Sequence, residues 1–378
     1  MLQSLELDRA LLVENDAQIL EIEAQISALQ VQISALEAAI SALHAVKQPA
    51  QQRLDSYKYP VLTLPNEIVV EIFLDLIPPY PELPPFLPGL GDNCPTILTH
   101  ICHQWREIAL TTPALWRSID LRNVPVKAAT SLACLWLERS GCLPLSLRAT
   151  DRRDAFSVFP VLIAHRARWE HLNLRFQDPN HLQVLAGPSP LLQTLHVFLH
   201  NDSLSNPVSL LDSPLLHTVV LDDYGTPSLI LPWSQLTRLS LRCIYSADCI
   251  SILRQTLTLV TCYLELWIKS IPPNQLVDVP LLRLETLVLE PSSDICVDFI
   301  RLLVTPSLRR LELHEDYLDW HEHPSDPVAA LKSFISKSGC MLSDLRITKA
   351  SVTQNVYRTA FPSIPLIQLL HQHSRVPM

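Results

Sequence analysis

SPLLQTLHVF (189–198), SPLLHTVVLD (213–222), VPLLRLETLVLE (279–290) and TPSLRRLELH (305–314) share one pattern, in which a short turn containing proline leads into apolar residues at every second position. Alternation with a period of two is the pattern of a strand, with the leucines on one face and the intervening residues on the other. The proline stops whatever precedes it and biases the chain toward an extended conformation. Working outward from these segments, a tolerant L-x-x-L-x-L recurs with central positions Leu145, Leu172, Leu195, Val219, Leu239, Cys262, Leu287, Leu311 and Leu345, at a spacing near 24 residues. One such unit cannot bury its apolar face alone, so neighbouring units must stack. Two of the returns read as helices, Ala128 to Arg139 and Val328 to Lys337. Each ends in a basic residue followed by Ser-Gly, and the glycine suits a left-handed terminating position.

This recurrence resembles the leucine-rich repeat, whose period of roughly 20 to 29 residues yields one strand and one helical or irregular return per unit. The resemblance implies an α/β fold over 122–378, an irregular leucine-rich-repeat-like solenoid lacking the usual consensus asparagine. An unrelated α/β layer fold with parallel strands is the other reading. In the solenoid, the residues after the last apolar position of each unit form a column on the concave face: Arg148, Arg175, Phe198, Asp222, Arg242, Glu265, Glu290 and His314. The column is expected to bind a protein substrate of unknown identity, basic at its amino end and acidic at its carboxyl end. A merely solvated charged face is the alternative.

Residues 59–121 carry a second pattern. Leu64-Pro65-Asn66-Glu67-Ile68 reads as a helix start, with Pro65 in the first turn and Glu67 complementing the helix dipole, followed by an apolar stripe of Ile68, Ile72, Phe73 and Leu76. A second helix, near Ile97 to Leu110, sets Ile101, Trp105, Ile108 and Ala109 at three-to-four spacing. Cys102-His-Gln-Trp105-Arg106 followed by Pro113-Ala-Leu115-Trp116 completes a segment that resembles the F-box. With the repeats behind it, the chain resembles a fungal-type F-box protein. That resemblance implies a non-catalytic substrate-recognition subunit, which binds the Skp adaptor of a cullin-based ubiquitin ligase through Leu64, Pro65, Ile68, Ile72 and Trp105. A Pro-rich insertion, 78–95, holds seven prolines and departs from the family pattern. A binding scaffold that engages no ligase is the alternative.

Residues 1–58 read as one long helix. Apolar residues at 19, 22, 26, 29, 33, 36, 40 and 43 alternate three and four, which is the a/d seam of a heptad. Ala, Gln, Glu and Leu throughout favour helix, and Pro49 is expected to kink or end it. The seam fits either a coiled-coil homodimer or docking on the chain's own body.

Composition narrows the function classes. A net charge of −9, from 29 Lys+Arg against 38 Asp+Glu with no basic cluster, repels a phosphate backbone, so no nucleic-acid partner is expected. Six glycines against 31 prolines leave no phosphate-cradling loop. The nine cysteines are odd in number, scattered and without a C-x-x-C pair, and read as reduced, mostly buried thiols. The acidic amino terminus is not a secretory signal and no run of eighteen apolar residues occurs, so a soluble cytoplasmic or nuclear protein with no membrane partner is expected. On that reading Asn201-Asp202-Ser203 is a chance match to a glycosylation acceptor. His321-Glu322-His323, His371-Gln372-His373 and the helix-borne His100 to His103 lack further ligands at metal spacing, and no nucleophile elbow or zinc-protease motif occurs. Neither enzyme activity nor a cofactor is expected.

Overall fold

The structure is a computed structural model that describes residues 2–56, 63–76, 95–121, 124–150, 158–199, 207–222, 229–267, 277–290, 299–318 and 326–370. The Pro-rich insertion, Asn201 and both His-x-His pairs lie outside the described residues, apart from Pro95 at the insertion's end. The chain divides into two units, 1–68 and 69–378.

The first unit is dominated by α1 (Leu2–Ser56), a helix of 55 residues. Of the kink or end expected at Pro49, the end does not occur: the helix continues to Ser56, about two turns past the proline. Its seam residues, from Ile19 to Leu43, are all exposed. The expectation of no membrane-length apolar run also needs correcting, since by length and composition alone Leu7–Asp55 is apolar enough to cross a bilayer. Gln, Ser and Glu37 interrupt its apolar surface.

The second unit is built on an eleven-stranded parallel sheet whose strand order follows the chain without reversal. Its strands are β1 (Ser118–Asp120), β2 (Leu145–Thr150), β3 (Trp169–Phe176), β4 (Thr194–Leu199), β6 (Thr218–Asp222), β8 (Arg238–Tyr245), β9 (Thr261–Trp267), β11 (Thr286–Glu290), β13 (Arg310–His314), β14 (Asp344–Thr348) and β15 (Leu366–Leu370). Two short parallel ladders join β5 (Val208–Ser209) to β7 (Leu229–Ile230) and β10 (Val279–Pro280) to β12 (Leu303–Val304). A doubly wound layer would reverse its strand order at a switch point. This sheet never does, so the layout is that of a solenoid.

Register explains the ladder. Ile119, Leu147, Leu172, Leu195, Val219, Leu239, Cys262, Leu287, Leu311, Leu345 and Ile367 stand opposite one another from strand to strand. All are buried, as are the apolar residues two positions on from each of Ile119 through Leu345, whereas Leu369, after Ile367, is half-buried. The sequence reading placed the first unit two residues early, at Leu145, because LPLSLRA offers four alternating apolar positions and only pairing with β3 chooses among them. The turns before the strands are closed locally. The amides of Leu192, Leu216 and Leu308 donate back to the carbonyls of Ser189, Ser213 and Thr305 at 3.1, 3.2 and 3.1 Å, with proline after the first residue in each case.

The returns on the other side include α4 (Val126–Arg139), α5 (Phe159–Ile163), α6 (Ser246–Leu253), α7 (Pro327–Ser338) and α8 (Gln354–Ala360). Both Ser-Gly helix ends hold: Gly141 and Gly339 take φ of +57° and +66°. Ahead of β1, α2 (Asn66–Asp75) and α3 (His103–Leu110) are joined to the sheet by a 3-10 turn, Pro113–Trp116. Trp116 is fully buried, donates from Nε1 to the Ala109 carbonyl at 2.8 Å and meets Trp136 of α4 edge-on at 5.4 Å. The helical segment from Val69 onward and the repeats therefore share one core.

Candidate protein-binding surfaces

The motif residues that carry the F-box resemblance have packing roles. Cys102 caps α3, its Sγ accepting from the Trp105 amide at 3.4 Å. Trp105 is half-buried and packs edge-on against Phe73 at 5.1 Å, and Arg106 Nε donates to the Thr99 carbonyl at 2.7 Å. Leu115 and Trp116 are buried. The second helix is shorter than the periodicity implied: Thr96–His100 is a 3-10 turn, and Ile101 lies exposed between it and α3.

The apolar stripe of α2 is split. Val69 and Phe73 are buried, whereas Ile68 and Ile72, one turn apart, are 48% and 41% exposed and Leu76 is exposed with them. Leu64 is half-buried and Pro65 exposed, just ahead of the helix; the Pro65 carbonyl accepts from the Ile68 amide at 3.1 Å. Of the five residues expected to contact an adaptor, Trp105 faces the local core. Ile68 and Ile72 present apolar surface.

On the sheet, the residues between the buried leucines form two rows on the face turned away from the core. The expected column follows one row from Arg175 through Phe198 and Asp222 to Arg242, Glu265 stands opposite Glu290, and His314 follows Leu313, the partner of Leu289. Arg148 does not belong to that row. Arg148 pairs with Asn173 and lies in the other row, while Thr150 stands opposite Arg175. The cause is the same two-residue offset that displaced Leu145. His314 is only 3% exposed, with its Nδ1 3.3 Å from the Asp316 carboxylate, and so presents no accessible surface.

Charge along the face is largely cancelled across strands. Arg148 lies 3.9 Å from Asp120, and Arg175 is exposed with its guanidinium 4.1 Å from the centre of the Phe198 ring. Toward the carboxyl end Arg310, Glu312, Asp344 and Arg346 form a box with separations of 3.1 to 3.9 Å, in which Glu312 is buried between the two arginines. At both ends of the face, charges thus stand in pairs.

The middle differs. Between Leu241 and Ile244 the register of β8 slips, so that Arg242 and Cys243 together oppose Glu265. Cys243 takes φ +53°, which marks a β-bulge at a non-glycine residue. The bulge lets Arg242 reach Asp222 at 3.7 Å on one side and Glu290 at 3.6 Å on the other. Burial, then Glu290, and then Asp222 push the Glu265 carboxyl above its usual range, against the Arg242 charge and a hydrogen bond from Cys243. Three carboxylates thus surround one guanidinium. Asn173 Nδ2 lies 3.1 Å from His196 Nδ1, and His196 Nε2 lies 3.1 Å from Asp222 Oδ2. An amide N–H can only donate, so Nδ1 accepts and Nε2 carries the proton toward Asp222. At the carboxyl ends of β8 and β9, Tyr245 and Trp267 meet edge-on at 6.3 Å, both half-buried. Sequence reading missed this pair because it lies beyond the L-x-L positions, past a bulge that no repeat period reveals.

Among the described residues no cysteine is cross-linked by a disulfide. Cys249, Cys262 and Cys340 are buried, while Cys134 and Cys142 are exposed, which corrects the expectation of mostly buried cysteines. Burial pushes the Cys262 thiol far up, as expected of a core residue with no nucleophilic role. Among the described residues no group of three His, Cys, Asp or Glu is placed to hold a metal ion.

Neither a known family profile nor a curated protein matches the chain. Among solved structures it is similar to an internalin from Listeria monocytogenes, at 11% identity, covering 60% of this chain and 73% of that one, with a TM-score of 0.25. So low a score carries no weight, and the solenoid assignment rests on strand order and register.

Proposed function

We propose that this protein is the substrate-recognition subunit of an SCF-type ubiquitin ligase, docking the Skp adaptor on α2 and a protein substrate on the open face of the repeat sheet. The observation that carries the reading is the split α2 helix. Val69 and Phe73 anchor it, while Ile68, Ile72 and Leu76 remain exposed, an arrangement suited to an apolar groove of helix-in-groove type. The Cys-x-x-Trp-Arg and Pro-x-Leu-Trp motifs that follow support it in sequence. On the sheet, the excess of carboxylates around Arg242, beside the half-buried Tyr245 and Trp267, suits a partner segment carrying Lys or Arg next to apolar residues. Holding adaptor and substrate on one chain makes ubiquitin transfer effectively intramolecular.

Pull-down with purified Skp adaptor tests the first contact. Ile68→Asp combined with Ile72→Asp is expected to abolish adaptor capture while leaving the thermal transition of the repeats in place. Glu265→Lys combined with Glu290→Lys is expected to leave adaptor capture intact and to release partners cross-linked to the face. Retention of partners by a wild-type chain that never captures adaptor would replace the ligase subunit with a repeat scaffold that engages no ligase.

A further inference from the structure

We propose that α1 pairs with α1 of a second copy of this chain as a parallel, in-register, two-stranded coiled coil over Ile19 to Leu43. This inference goes beyond the receptor reading and does not rest on it. Three observations carry it.

The first is the seam itself. Position a is isoleucine four times in succession (19, 26, 33 and 40), and position d is Ile22 followed by Leu29, Leu36 and Leu43. β-branched residues at a with leucine at d select two parallel strands over trimers and tetramers.

The second is charge. Between Ile19 and Leu43 the e positions are Glu23, Gln30 and Glu37, and the g positions are Gln25, Gln32 and Ala39. A parallel pair sets each e residue against a g residue of the other strand, so both acids face uncharged side chains. An antiparallel pair sets the e row against itself, and acid opposes its own kind. Electrostatics therefore choose the parallel orientation, and the Ile and Leu layers choose the in-register one.

The third is area. The eight seam residues are 49–70% exposed in the single chain. With roughly 100 Å² of apolar surface removed per side chain, sixteen of them bury about 1,600 Å² in the pair, the size of a standard stable interface. Pro49 lies beyond the seam, and Lys47 at the next a position ends it. The consequence is a bivalent molecule, with two copies of the repeat face in one particle.

Sedimentation or light scattering of the full chain at micromolar concentration tests the pairing. The expected mass is twice that of one chain, returning to a single chain in Ile26→Asp combined with Ile33→Asp while the near-UV spectrum of the repeats is retained. Orientation is read by oxidative cross-linking. No cysteine precedes Cys94, so Ile19→Cys or Leu43→Cys, introduced singly, reports self-contact through a disulfide mapped to the α1 peptide. Each is expected to link two chains, because in parallel register each position meets itself. A monomeric wild type overturns the proposal, as does a dimer in which neither position cross-links. So does a chain that floats with phosphatidylcholine vesicles through α1, since the apolar surface would then be covered by lipid.

Discussion

At the scale of single residues, the buried polar groups make the sharpest commitments. Glu315, buried at the end of β13, accepts from the Tyr357 hydroxyl at 2.6 Å and from the Ser351 amide, and Tyr357 is itself fully buried. Burial and the facing carboxylate hold the phenol well above its usual range, so it stays a donor throughout the working pH range. Tyr357→Phe leaves a buried carboxylate one donor short and is expected to cost about 1.5–3 kcal/mol in chemical unfolding. Glu265 carries the opposite lesson. Its carboxyl is raised in the folded state, so the fold binds its proton more tightly than the unfolded chain does. Stability from this group is therefore greatest in acid and is lost as pH rises from the ordinary glutamate range through the raised folded value. Glu265→Gln should raise Tm at neutral pH, and the gain over wild type should shrink toward acid. A gain that instead grew as pH fell would reverse the assignment.

At the scale of elements, helix ends and strand turns behave as local chemistry dictates, and the errors come from pairing. Asp326 caps α7, accepting from the Ala329 amide at 2.9 Å, and Gly339 closes it at φ +66° with open space where a Cβ would stand. Gly339→Ala thus meets no clash and is expected to cost about 1 kcal/mol from the left-handed backbone alone, measurable as a lower denaturant midpoint with unchanged slope. The helix C-terminal signals at 139–141 and 337–339 were legible because a cap involves only neighbours in sequence. The start of β2 was not, since Leu145, Leu147 and Ala149 are all buried and alternation alone does not distinguish them. Likewise the α2 stripe read as one face, because periodicity shows which residues are apolar and not which neighbour, here Trp105 on Phe73, claims part of them.

At the scale of the whole molecule, each strand of the main sheet pairs only with the one before and the one after. Stability in such an array is a sum of near-neighbour terms. Leu287→Ala, in the fully buried ladder, is expected to cost about 2–5 kcal/mol. Hydrogen exchange should rise most on β9, β11 and β13 and least on the distant β1 and β2. Uniform loss of protection would show that the array unfolds as a single cooperative block.

What the sequence by itself determined is whatever repeats or acts locally: the alternating leucines, their period near 24 residues, the proline-led turns, the glycine caps and the heptads of α1. These follow from hydrophobic periodicity and from the φ/ψ limits of proline and glycine, which need no distant partner. The tertiary structure alone decided register and electrostatics. It moved Arg148 out of the column, buried His314 and paired the charges at both ends. It also used a bulge at Cys243 to gather Asp222, Glu265 and Glu290 about Arg242. Most of those contacts join residues twenty or more positions apart, and a one-strand slip or one extra residue would change them while leaving the leucine pattern intact.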